Sequence, residues 1–189
     1  SEGQHAQAIP LLRSGLEQAT GPGSERYELL LHLALALTPT DPASAVDCYR
    51  QALAIPLDQR VSLGARINLA ARLMDMGQLD EALQLTQAAT QAAPEVALGW
   101  VNLGLMQRQK GNIGAALDAY SRAINLDPRN ATCHQNHAVA LLLGGDIEGA
   151  RNSFRRAIQL FREQGRDREA QALRDKAQGL VKLDVEPII

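Results

Sequence analysis

His134 and His137 stand three residues apart in ATCHQNHAVALLL (131–143), a spacing that brings two imidazoles to one helix face and toward one metal ion. No Cys or carboxylate at ligand spacing completes the set, so no metal site is expected. His5 and His32 stand alone and read as structural. GGDIEG (144–149) is glycine-rich and opens a helix, as a phosphate loop does. It lacks both a preceding strand and the G-x-G-x-x-G or Walker spacing, and reads as a turn with an acidic helix start. Asp80, Glu81 and Asp146 fall in first turns, where a carboxylate suits the helix dipole without any acid–base role. There is no Gly-x-Ser-x-Gly elbow and no Cys–His pairing at a known spacing. Cys48 and Cys133 form neither a metal nor a redox spacing, and no disulfide framework is expected. No catalytic residue, metal or cofactor is assigned, and the chain reads as non-catalytic.

Charge gives one further candidate. Residues 1–150 carry 10 basic and 15 acidic side chains, whereas residues 151–189 carry 9 and 6. The basic cluster is Arg151, Arg155, Arg156, Arg162, Arg166, Arg168, Arg174 and Lys176, with Arg151, Arg155 and Arg162 close to one helical stripe. Nucleic-acid surfaces add exposed aromatics for stacking, and here only Phe154 and Phe161 are near. With an overall net charge of −2, a solvated outer face is expected rather than a nucleic-acid site.

Composition names the elements that must position any site. The chain is rich in Ala, Leu and Gln, with 3% aromatics, which favours helices throughout. No apolar run is long enough to span a membrane, and no signal peptide opens the chain. Cysteine usage fits a reducing compartment, so a cytoplasmic location is expected. The Ala-, Leu- and Gln-rich, Lys-poor composition hints at a GC-rich bacterial source. Ser1 stands where Met would, which suggests a trimmed chain.

The chain repeats itself. Residues 63–96, 97–130 and 131–164 align without gaps. Positions seven and eight hold Leu69-Ala70, Leu103-Gly104 and His137-Ala138, and position fifteen holds Gly77, Gly111 and Gly145. Ala82, Ala116 and Ala150 stand at position twenty, Thr86, Tyr120 and Phe154 at twenty-four, and Ala89, Ala123 and Ala157 at twenty-seven. Position thirty-two holds Pro94, Pro128 and Arg162. The pattern predicts a first helix, a Gly turn at positive φ, and a second helix with a small–large–small face. Pro then ends the second helix. In this register His134 and His137 occupy the places of Trp100 and Leu103, so both are expected to pack between helices.

These units resemble the tetratricopeptide repeat on Trp100, Leu103, Gly104, Gly111, Ala116, Tyr120, Ala123 and Pro128. The resemblance implies an all-α, right-handed α-α superhelix, a solenoid of tandem helix–turn–helix units with one concave face. Residues 25–62 read as a divergent unit, with Ala45, Tyr49 and Ala52 at the right spacing, a turn TPTDP (38–42) lacking Gly and one residue short, and a link about three residues too long. Residues 1–24 read as the turn and second helix of a truncated unit, with Gly3 in the turn, and suggest a longer parent. Residues 165–183 read as a polar capping helix and 184–189 as an irregular tail.

In this family the first helix of each unit lines the groove, largely through positions 2, 5, 6, 9, 12 and 13. Position 6 is Asn68, Asn102 and Asn136, with His32 in the unit before. Amides at this repeat suit the backbone of an extended peptide, since each both donates and accepts, and repeat arrays of protein O-linked N-acetylglucosamine transferases look similar. A local helix–helix hydrogen bond accounts for them equally. Ile67, Ala71, Met74, Leu98, Val101, Leu105, Val139, Leu142 and Leu143 supply apolar lining, and Asp75, Arg108, Gln109 and Gln135 add polarity. The carboxylate clamp of chaperone-binding members is absent, because positions 5 are Ile67, Val101 and Gln135 and positions 9 are Ala71, Leu105 and Val139. The expected function is a scaffold or adaptor holding a peptide or helix segment of a partner protein in this groove, with no small-molecule substrate. The alternatives are the targeting domain of a larger glycosyl- or methyltransferase, and a purely structural, self-associating stack.

Overall fold

The computed structural model describes residues 2–21, 23–58 and 60–181. Among them are ten α-helices and no strand. They fall into two compact units, Ser1–Ala93 and Pro94–Ile189. The first holds α1 (Glu2–Gln18), α2 (Gly23–Leu37), α3 (Pro42–Leu53), α4 (Leu63–Asp75) and α5 (Leu79–Ala92). The second holds α6 (Ala97–Gln109), α7 (Ile113–Leu126), α8 (Ala131–Leu143), α9 (Ile147–Glu163) and α10 (Asp167–Val181). Within each unit every helix packs against the next. The expected tail, 184–189, and the side chain of His5 lie outside the described residues.

The repeat positions do what their chemistry requires. Gly77, Gly111 and Gly145 all have positive φ, between 77° and 85°. Each lets the chain reverse while the last carbonyls of the first helix are capped. Gly111 N–H donates to the Arg108 carbonyl at 3.0 Å and Asn112 N–H to that of Gln107 at 2.9 Å. The same pair of bonds recurs after α4 and after α8. The TPTDP turn manages without Gly. Asp41 N–H donates to the Leu37 carbonyl at 2.7 Å, and the Asp41 carboxylate caps α3 by accepting from Ser44 N–H at 3.1 Å. Gly3 departs from expectation, because it lies inside α1 rather than in a turn.

All six alanines at positions twenty and twenty-seven are fully buried, as are Thr86, Tyr120 and Phe154 between them. Small residues bring helix backbones close, and the large one fills the remaining gap. Between neighbouring helices the tightest glycine contact is at Gly104, where an added Cβ would stand 2.6 Å from the Tyr120 ring. Pro94 and Pro128 follow the ends of α5 and α7, whereas Arg162 lets α9 run on to Glu163.

Candidate binding surfaces on the first helices

Asn68, on α4, is half-buried beside α3. Its amide and the Thr38 hydroxyl are within hydrogen-bonding reach of the Tyr49 hydroxyl, and the Arg72 guanidinium adds its charge nearby. Burial holds the Tyr49 pKa above its ordinary value, against the pull of Asn68 and Arg72. Around them opens a pocket of 170 Å3 lined by Leu35, Thr38, Pro39, Tyr49, Asn68 and Arg72. Met74, nearly two turns beyond Asn68 on α4, is half-buried. A separate cleft of 510 Å3 between α1 and α2 is lined by Ala8, Leu11, Leu12, His32, Leu35 and Ala36.

The second unit treats the same register differently. Tyr120 occupies the place of Tyr49, and its hydroxyl is buried. Arg108 stands where Thr38 does, lies within hydrogen-bonding reach of that hydroxyl and adds its charge there, while Arg108 Nε is buried without a partner. Burial raises the Tyr120 pKa against the pull of Arg108. Asn136 does not bond to Tyr120. Among the described residues, no hydrogen bond engages the side chain of Asn102 or Asn136, and both are half-exposed. Leu105, Gln135 and Val139 are half-exposed too, while Leu98 and Leu143 are exposed. Gln135 borders a cleft of 200 Å3 with Glu169, Ala172, Leu173 and Lys176 of α10.

Two expected groove contacts are corrected. Ile67 is 5% exposed and Val101 8% exposed. Val101 packs in a core cluster with Ala116, Tyr120, Ala123, Cys133 and Ala140. A β-branched side chain at position 5 points into the helix–helix seam here and leaves little surface for a ligand.

Both histidines pack between helices. His134 Nε2 lies 3.1 Å from the Pro128 carbonyl, and Trp100 Nε1 donates to the Pro94 carbonyl at 2.8 Å. Position 4 thus carries a ring N–H that ties its helix to the preceding proline, and His134 serves as a small tryptophan. His137 Nδ1 sits 3.1 Å from Ser153 Oγ, and its ring meets that of Tyr120 edge to face at 6.5 Å. Burial lowers the pKa of both, with the Arg156 charge also lowering that of His134. Among the described residues, no three His, Cys, Asp or Glu side chains gather as a metal-ligand set. Both cysteines are free and buried, and burial pushes the Cys133 thiol up to about 12.

Part of the basic cluster is engaged in ion pairs. Arg151 pairs with Glu148, and Arg166 pairs with Glu169 at 3.0 Å while lying over the Phe161 ring. Arg174 is buried. In the first unit Glu81 takes a bidentate contact from Arg50, at 2.8 and 3.3 Å. Asp146 caps α9 by accepting from Gly149 N–H at 2.8 Å. Among the described residues, no helix is long and apolar enough to cross a membrane. Sequence reasoning missed the hydroxyl at position 24 and its neighbours Thr38 and Arg72. The visible signal was Tyr recurring at 49 and 120, one turn from small residues on the same face.

The tetratricopeptide repeat profile matches residues 67–131. A TPR repeat-containing protein of Synechococcus elongatus is 37% identical over 180 residues, 95% of this chain and 44% of that protein. The chain thus spans less than half of that relative's length. Among solved structures, MamA superposes with a TM-score of 0.74 at 20% identity, over 86% of this chain and 92% of its own. YrrB, described as a TPR protein with an unusual peptide-binding site, superposes at 0.67 with 17% identity, over 90% of this chain and 84% of its own. These likenesses place the fold in the all-α superhelix class of helix–turn–helix repeats. With three units in one register, the turn glycines at positive φ and the alanine seams buried, the chain belongs to the tetratricopeptide repeat family.

Proposed function

We propose that this chain is a non-catalytic protein-interaction scaffold that takes a peptide or helical segment of a partner protein on the faces of its first helices. In the second unit the contacts are Asn102 and Asn136 as amides, Leu105 and Val139 as apolar lining, and Gln135 and Arg108 as polar flanks. In the first unit Met74 is the corresponding apolar contact, while the Asn68 amide faces the Tyr49 hydroxyl. The observation that carries this reading is the pair Asn102 and Asn136. Both are half-exposed and, among the described residues, without a hydrogen-bond partner, beside half-exposed leucine and valine. An amide left open amid apolar surface suits a peptide backbone, which offers one donor and one acceptor per residue. The peptide-binding site of YrrB, a protein of like fold, lends support to a peptide ligand.

The test is affinity capture from lysate of the source cells with wild type and with Asn102→Ala/Asn136→Ala. Both proteins are first matched for folding by circular dichroism. A partner bound by wild type and lost by the variant is the expected result. A partner kept at full strength by the variant would move the site off this face.

A further inference from the structure

The pocket between α2, α3 and α4 has a hydrogen-bonding pattern of its own. At 170 Å3 it is below the size of small-molecule sites and holds about one side chain. Its floor is Tyr49, 1% exposed, and its rim is the exposed Leu35 with Pro39. Thr38 Oγ1 donates its one proton to the Ala34 carbonyl at 2.8 Å, so it shows the pocket only lone pairs. Arg72 can only donate. It is already paired with Asp75 at 3.3 Å, which offsets its charge. Asn68 and the Tyr49 hydroxyl can each do either.

The geometry points to a pocket for a primary carboxamide, the side chain of a glutamine or asparagine in a bound peptide. This rests on the peptide-binding role proposed above and names what one of its subsites takes. A carboxamide oxygen accepts from Arg72 while its NH2 donates to Thr38 Oγ1, with the Tyr49 hydroxyl and the Asn68 amide, in reach of each other, closing the far wall. A carboxylate has no proton for Thr38 and meets the Asp75 charge beside Arg72. An ammonium has no acceptor for the Arg72 N–H groups. An apolar side chain leaves the half-buried donors without partners, at a cost set by their lost solvation.

The experiment titrates the full 15N-labelled chain with N-acetyl-glutamine-N-methylamide, and with the glutamate and leucine analogues, at pH 7. Backbone amide shifts of Thr38, Asn68 and Arg72 are followed. The glutamine probe should give saturable shifts at these residues, with the other two weaker by about tenfold. Thr38→Val, nearly isosteric, should weaken the glutamine probe by a similar factor. Equal or tighter binding of the glutamate or leucine probe overturns the assignment. So does the absence of saturable shifts, or unchanged glutamine binding by Thr38→Val. The ranking of three probes on wild type needs no variant, so a poorly folded Thr38→Val cannot hide the answer. The capture test above reads Asn102 and Asn136, so it can fail while this pocket binds, and the reverse.

Discussion

Tyr49 and Tyr120 fill the same place in the repeat and live in different company. Around Tyr49, hydroxyl and amide groups from Thr38 and Asn68 face the phenol, with Arg72 nearby on the following first helix. Around Tyr120 the group within hydrogen-bonding reach is the Arg108 guanidinium of its own unit, and Ala140 replaces Arg72 in the register. The lesson is that one repeated asparagine serves two ends. Asn68 helps to seat a buried tyrosine, while Asn136 stays open at the surface. A repeat fixes where a side chain is placed, but its neighbours decide whether it is available.

The largest expected effect separates the two tyrosines by packing. Gly104→Ala puts a Cβ 2.6 Å from the Tyr120 ring, so urea unfolding should show a loss of about 1–3 kcal/mol. The gain in helix propensity of at most ~1 kcal/mol offsets part of it. An unchanged or raised midpoint would mean that the Tyr120 ring moves aside freely. The hydroxyls come next. Tyr49→Phe should cost about 0.5–1.5 kcal/mol, while Tyr120→Phe should cost less, because Arg108 alone lies within hydrogen-bonding reach of its hydroxyl. Equal losses would erase the distinction drawn here.

A smaller effect concerns pH. His134 and His137, both in the second unit, have pKa values pushed below 6.5, first by burial. The Asp146 charge opposes this at His137, and the Pro128 carbonyl opposes it at His134. Below pH 6.5 the unfolded chain thus binds more protons than the folded one. Stability is intact above that pH and is lost as pH falls through the depressed folded values. The melting temperature should be lower at pH 5 than at pH 7. His137→Leu restores the leucine of positions 69 and 103, and should narrow that gap. A gap of the same width in the variant would remove His137 from the explanation.

Much of the fold is legible because the repeat is redundant. Gly77, Gly111 and Gly145 announce three turns, and the Ala–large–Ala faces announce three buried seams. Two details are hidden for physical reasons. Ile67 and Val101 sit one residue before the repeated asparagines, and periodicity cannot tell a seam from a groove edge at that spacing. The Tyr49 pocket joins Thr38, Tyr49 and Arg72 from separate elements, and it forms across a turn one residue short and a link three too long. An alignment of perfect 34-residue units does not bring those residues together. Gly3 misleads because glycine suggests a turn where α1 simply continues through it.

The most direct test is to compare unfolding by urea of Asn68→Ala with that of Asn136→Ala. If Asn68 seats Tyr49 and Asn136 is open, the first should lose about 1 kcal/mol and the second should stay within ~0.5 kcal/mol of wild type. Equal losses in both would contradict this. The asparagines would then be a structural habit of the repeat, and the second unit would have no amides held open for a partner.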